Sequence, residues 1–148
     1  MEIYFDLQIK TIAYNSEEYR QELVLRDEVL RKPLGMSLYA EDLTVDAPDF
    51  HLGAFLSNRL VGVLLLKRLN ADELKMRQVA VVDTMRSQHV GTALVRFAEE
   101  YAIREGYKTM LLNARMTAVG FYEKLGYEKI SREFMEINIP HYRMNKKL

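Results

Sequence analysis

Residues 79–94 read Val79-Ala80-Val81-Val82-Asp83-Thr84-Met85-Arg86-Ser87-Gln88-His89-Val90-Gly91-Thr92-Ala93-Leu94. The β-branched Val79, Val81 and Val82 end a strand, a polar turn follows, and Val90 and Leu94 open a pattern with helical spacing. The first backbone N–H groups of a helix have no intrahelical partner, and with the helix dipole they suit a phosphate or pyrophosphate. Gly91 in the first turn lets a ligand or a neighbouring backbone approach closely, at a cost of up to ~1 kcal/mol in helix propensity. Arg86 adds a cation beside the turn. No Gly-Lys-Ser/Thr follows, so this is not a P-loop, and G-x-G-x-x-G is absent. A plain strand-to-helix turn, with Gly91 chosen for packing, has the same local pattern.

Downstream, Val90, Leu94, Phe97, Ala98 and Tyr101 give a helix one apolar face, and Gly106 closes it. Residues 109–113 form a short buried strand, 117–125 a second amphipathic helix closed by Gly126, and 127–130 and 142–144 the last two strands. The strands near 79 and 111 then require a right-handed parallel crossover. Upstream, 50–56, 60–69 and 74–82 form an antiparallel meander, with Ser57, Asn58 and Arg59 at its first turn. Residues 7–14 alternate as a strand. Asn15 or Ser16 caps a helix whose apolar face is Leu23, Val24, Val29 and Leu30, and Pro33 and Gly35 stop it. Residues 36–48 are mixed and acidic, a loop or short helix. The prediction is one mixed α/β domain over 1–148.

The chain has 148 residues with 21 Lys and Arg against 21 Asp and Glu, and neither cysteine nor tryptophan. Lack of cysteine excludes a disulfide framework, a thiolate metal cluster and a cysteine nucleophile. Zero formal charge argues against a general nucleic-acid binder. The run 60–66 is far short of the ~20 apolar residues that span a bilayer, and the acidic start is unlike a signal peptide. The expected setting is a reducing cytoplasm, with neither membrane nor nucleic acid as partner. His51, His89 and His141 have no metal-site spacing, so no metal is expected.

A second stretch, Leu111-Leu112-Asn113-Ala114-Arg115-Met116-Thr117-Ala118-Val119-Gly120-Phe121-Tyr122-Glu123-Lys124-Leu125-Gly126-Tyr127, carries a resemblance. Its end resembles the Phe-Tyr-x-Lys-x-Gly-Phe/Tyr phrase of the GNAT superfamily of acyl-CoA-dependent N-acetyltransferases. Arg86-Ser87-Gln88-His89-Val90-Gly91 is similar to the superfamily's Arg/Gln-x-x-Gly-x-Gly/Ala loop, with His89 in place of the first glycine. The tail Phe134-x-Glu136-x-Asn138-Ile139-Pro140-His141-x-x-Met144 resembles a branch that includes YjcF-like and ElaA-like proteins, with Asn138 replacing a glycine. Asn tolerates the left-handed backbone that such a turn needs.

The resemblance implies a sheet splayed between its two central parallel strands, with acetyl-CoA as co-substrate. It implies backbone contacts to pantetheine from Val79, Ala80 and Val81. The pyrophosphate would be held by Arg86, Ser87, Gln88, His89, Val90, Gly91 and Thr92, and Asn113, Phe121 and Tyr122 would complete the cofactor site. A phenol stays protonated at neutral pH and can donate to a leaving thiolate, the role the family gives the tyrosine matching Tyr122. Asn113 would hold the acceptor amine or a cofactor amide. Glu73, Asp83 and Glu136 are candidate bases. Glu41, Asp42, Asp46 and Asp49 either attract a cationic amine or lie solvated. The implied reaction is direct acetyl transfer to a small-molecule amine or a peptide N-terminus. The rival reading is an acyl-CoA-binding sensor without turnover, and homodimers are common in the superfamily.

Overall fold

The computed structural model describes residues 7–148, apart from the side chains of Arg86, Ser87 and Gln88. The chain runs β1 (Leu7–Thr11), α1 (Glu17–Leu30), β2 (Phe50–Leu56), β3 (Arg59–Arg68), β4 (Glu73–Val81), α2 (Val90–Arg104), β5 (Thr109–Arg115), α3 (Val119–Lys124), β6 (Glu128–Lys129), β7 (Phe134–Glu136) and β8 (Ile139–Lys147). The mixed eight-stranded sheet has the order β1-β2-β3-β4-β5-β8-β6, with β7 on β8. The chain divides into two compact units. One holds the residues up to Leu66 and Gln78–Ala98; the other holds Lys67–Arg77 and Glu99–Leu148.

In the first unit Ser16 caps α1, its Oγ accepting from Tyr19 N–H at 3.1 Å, with Glu17 and Glu18 in the first turn. Gly35, at φ +70°, follows a 3-10 turn over Lys32–Leu34. Of the apolar face expected on α1, Leu23, Val29 and Leu30 are half-buried against the core and Val24 falls outside it, and the fully buried face also carries charge. Tyr19, Glu22, Leu25, Arg26 and Asp27 point inward, while Val24 is 54% exposed. Hydrophobic spacing finds only part of this face, because the helix also buries charged groups that pair with each other. The 36–48 segment forms 3-10 turns at Leu38–Ala40 and Leu43–Asp46.

The first hairpin turns on Ser57 and Asn58 alone, at φ 50° and 67°, and Arg59 already pairs with Leu56. Two positive φ values make a primed turn, whose twist matches that of the strands. Around β2 and β3 lies a core of Ile12, Tyr19, Leu25, Phe55, Leu60, Val63, Leu65 and Ala80. Full burial of one such side chain stabilises by roughly 1.5–3 kcal/mol. Gly62 sets the approach of α2, since a Cβ there would lie 3.3 Å from Val90 Cγ1 and 3.5 Å from Leu94 Cδ2.

In the second unit β4 pairs in parallel with β5 from Glu73↔Thr109 to Met76↔Leu112. The ladder stops there, although β4 continues to Val81 and β5 to Arg115. This is the expected parallel pair. The helix expected over 117–125 is shorter: a 3-10 turn at Met116–Ala118, then the six-residue α3. Gly126 ends it at φ +98°, with Tyr127 N–H bonded to Tyr122 O at 3.0 Å. The strand expected at 142–144 is the nine-residue β8, lying between β5 and β6, and β7 is an additional strand. β7 and β8 join through Ile137 and Asn138, at φ 46° and 59°. Asn138 thus adopts the left-handed conformation that a replacement for glycine needs.

Candidate functional site

The first unit carries the loop singled out in the sequence. Val79, Ala80 and Val81 end β4, Val82 leads into a 3-10 turn over Asp83–Gln88, and α2 begins at Val90. The first α2 backbone bond runs from Ala93 N–H to His89 O at 3.1 Å. The amides of Val90, Gly91 and Thr92 therefore precede the helix's own ladder. Val90 is fully buried, which anchors this start, while Gly91 and Thr92 are half-buried and His89 is exposed. His89 sits at φ 63°. That is the left-handed region where glycine is unstrained, so the residue replacing glycine keeps a glycine-like backbone. Arg86, Ser87 and Gln88 lie in the turn by backbone, and the cationic role expected of Arg86 lies outside the described side chains.

Gln78, at φ 55°, interrupts β4 immediately before Val79. Its Oε1 accepts from Arg26 Nε at 3.3 Å, and Arg26 belongs to a buried cluster that sequence reading missed. Arg26 Nη1 pairs with Glu22 Oε2 at 2.9 Å and Nη2 with Asp46 Oδ2 at 2.8 Å. His51 Nδ1 faces both Glu22 oxygens at 2.9 Å, and Nε2 lies 2.8 Å from Asp46 O. Both ring nitrogens face acceptors, so the ring is held as an imidazolium and the cluster balances two positive with two negative charges. Burial opposes that charge, yet the Glu22 carboxylate and the Asp46 carbonyl outweigh it and raise the His51 pKa. Tyr19 packs edge-on to His51 at 5.6 Å, with its buried hydroxyl unpartnered and its pKa pushed up to about 12 by desolvation first, then by nearby Tyr14 and the acids. The available sequence signal was Glu22 and Arg26 at i,i+4.

This cluster also revises the acidic stretch. Asp46 is buried on Arg26, Glu41 is paired with Arg31 at 2.6 Å, and Asp42 caps the 3-10 turn through Thr44. Asp46 is thus withdrawn from solvent, whereas Glu41 and Asp42 stay exposed while making these local contacts.

The second unit carries Asn113, Phe121 and Tyr122. Tyr122 is buried on α3, edge-on to Phe121 at 5.0 Å and to Tyr127 at 5.7 Å. Burial pushes its pKa up to about 12, so it is protonated at neutral pH, and its hydroxyl has no hydrogen-bond partner among the described residues. Tyr127 is committed elsewhere, donating to Glu99 at 2.8 Å, and that carboxylate also pairs with Lys146 at 3.0 Å.

Asn113 Nδ2 donates to Glu136 Oε1 at 3.1 Å, bringing together two candidates 23 residues apart, while Asn113 Oδ1 is buried and unpartnered. Of the other candidate acids, Glu73 accepts from Asn70 at 2.8 Å and Asp83 is exposed at the start of its turn. His141 is buried, with Nδ1 2.7 Å from Ile139 O and Nε2 3.6 Å from Glu136, so it serves the β7–β8 turn. No group of three metal-ligating side chains occurs among the described residues, and no helix there is long and apolar enough to cross a membrane.

Residues 15–148 match the family described as acetyltransferase (GNAT) domain. The uncharacterized N-acetyltransferase YjcF of Bacillus subtilis (strain 168) is 29% identical over 136 residues, covering 91% of this chain and 96% of that protein. Among solved structures, Escherichia coli ElaA superposes with a TM-score of 0.81 at 18% identity, over 95% of this chain and 99% of ElaA. A GNAT family acetyltransferase from Elizabethkingia anophelis with acetyl-CoA bound gives 0.73 at 14% identity, over 97% of this chain and 99% of that one.

Proposed function

Because this chain belongs to the GNAT acetyltransferase family, we propose that it transfers an acetyl group from acetyl-CoA to a primary amine by direct attack. The observation that carries this reading is the start of α2, whose amides follow the end of β4 and suit a pyrophosphate. Val79, Ala80 and Val81 offer backbone groups to the pantetheine amides, and residues 86–92 take the phosphates. Phe121 lines the cofactor site. The amine nitrogen attacks the thioester carbon, a C–N bond forms and the C–S bond breaks. The nitrogen loses one proton and the leaving sulfur gains one, supplied by the Tyr122 hydroxyl. With its pKa near 12, that hydroxyl keeps its proton until thiolate develops. Asn113 positions the amine, and Glu136, which accepts from the Asn113 amide, serves as a base or holds a water.

Free-thiol release tests this. The purified protein, given acetyl-CoA and an amine library, releases CoA thiol in proportion to acceptor. CoA binding by calorimetry with no thiol release would instead favour the rival reading of an acyl-CoA sensor, for which the non-glycine His89 is the motivating feature. Absence of CoA binding at millimolar ligand refutes both.

A further inference from the structure

In the second unit, Leu69, Lys75, Leu111, Leu112, Asn113 and Arg143 line a concavity of about 270 Å³. Pairing register places its polar groups on one face of the sheet, since Lys75 is opposite Leu111 and Asn113 is opposite Arg143. Three features stand out together. Among the described residues, neither Lys75 nor Arg143 has a carboxylate within ion-pair distance. The amide oxygen of Asn113 is shielded from solvent and accepts no hydrogen bond. On the same face Leu111 adds apolar lining. Lys75 is half-buried and Arg143 exposed at the rim, and neither cation is paired with a carboxylate among the described residues. Burial lowers the Lys75 pKa, Arg143, Arg77 and Lys67 repel it further, and Glu136 opposes them.

We propose that this concavity binds the anionic group, carboxylate or phosphate, of the acceptor amine, with Lys75 and Arg143 as its cations and Asn113 Oδ1 accepting an N–H from the same molecule. The inference rests on the acetyltransferase reading and narrows its substrates to small amines that also carry negative charge. Guanidinium and ammonium donors bind carboxylate and phosphate through charge-assisted hydrogen bonds. The volume suits a molecule of amino-acid size, below the span of ordinary ligand pockets. An anion here also removes the repulsion between Lys75 and Arg143.

Two matched pairs test it: β-alanine against β-alaninamide, and O-phosphoethanolamine against ethanolamine. Each is titrated into the cofactor-free protein by NMR, following the Asn113 side-chain amide, and then assayed for acetylation. The charged member of at least one pair should win by about tenfold or more in both Kd and kcat/KM. Whichever pair shows the preference identifies carboxylate or phosphate. Lys75→Met with Arg143→Met should reduce the preference to below about twofold, with CoA affinity unchanged as evidence of an intact fold. If that variant does not fold, Lys75→Arg, which keeps the charge, must retain the preference and Lys75→Gln must weaken it. Equal affinity within both pairs, or a preference that survives loss of both cations, overturns the proposal. Acetylation without preference removes this site and leaves the enzyme; anion binding that needs Lys75, without acetylation of any amine, removes the enzyme and leaves this site.

Discussion

Replacing Arg26 by Met should destabilise the protein through charge, since the apolar volume is kept. Arg26 makes two ion pairs, at 2.9 and 2.8 Å, to carboxylates whose side chains are no more than 2% exposed, and a weaker hydrogen bond to Gln78 at 3.3 Å. Methionine fills most of the space and pairs with nothing, so the buried Glu22 and Asp46 carboxylates lose their guanidinium. Removing one partner of a buried pair costs about 3–5 kcal/mol. For a chain of this size each kcal/mol lowers Tm by roughly 2–4 °C, which gives a drop of roughly 6–20 °C. Lacking tryptophan, the protein is best followed by tyrosine fluorescence and far-UV circular dichroism in urea. The midpoint should fall with the denaturant slope unchanged. A loss below about 1 kcal/mol, the range of exposed pairs, would mean that water reaches the cluster, and the argument from desolvation would be wrong.

The same cluster makes stability pH-dependent. The His51 pKa is raised on folding, so its stabilisation is full below the unfolded value near ~6.5 and is lost as pH rises through the folded value. Urea midpoints measured from pH 5 to 9 should fall on the alkaline side, and His51→Gln should flatten that fall. Tyr122→Phe should lower kcat about 10²-fold or more and CoA affinity far less, as seen by stopped-flow thiol release and calorimetry. With Tyr122 at about 12, wild-type kcat should show no alkaline loss from tyrosine ionisation below about pH 11. Ile137 is β-branched and 45% exposed at φ 46°, so Ile137→Asn should stabilise by about 0.5–1 kcal/mol in the same urea assay.

Periodicity and punctuation made most of the second half legible. Val90, Leu94 and Ala98 gave α2 its register, Gly106 and Gly126 marked two helix ends, and the 79–94 stretch placed a helix start after a parallel strand. What stayed hidden depends on long-range pairing. Glu22, Arg26, Asp46 and His51 look like surface residues along the chain, because each is tolerable inside only beside the others. The charged part of the buried α1 face was missed for that reason, while Leu23, Val29 and Leu30 were read correctly. β7 escaped notice because three residues carry no period, and its turn places a β-branched residue at positive φ against local preference. At the candidate site, Tyr122 and the α2 start were readable from motif and spacing. The unpaired Lys75 and Arg143 were not, since they meet only through strand register.

The placement of β8 bears on how the protein is made. Synthesised after β5, β6 and β7, it is nevertheless the strand with which each of them pairs. Until it emerges from the ribosome, β6 and β7 lack that partner and one edge of β5 stays open. That strand carries Met110, Leu112 and Ala114, all buried in the finished unit. A released chain that lacks 139–147 should therefore expose that edge and aggregate.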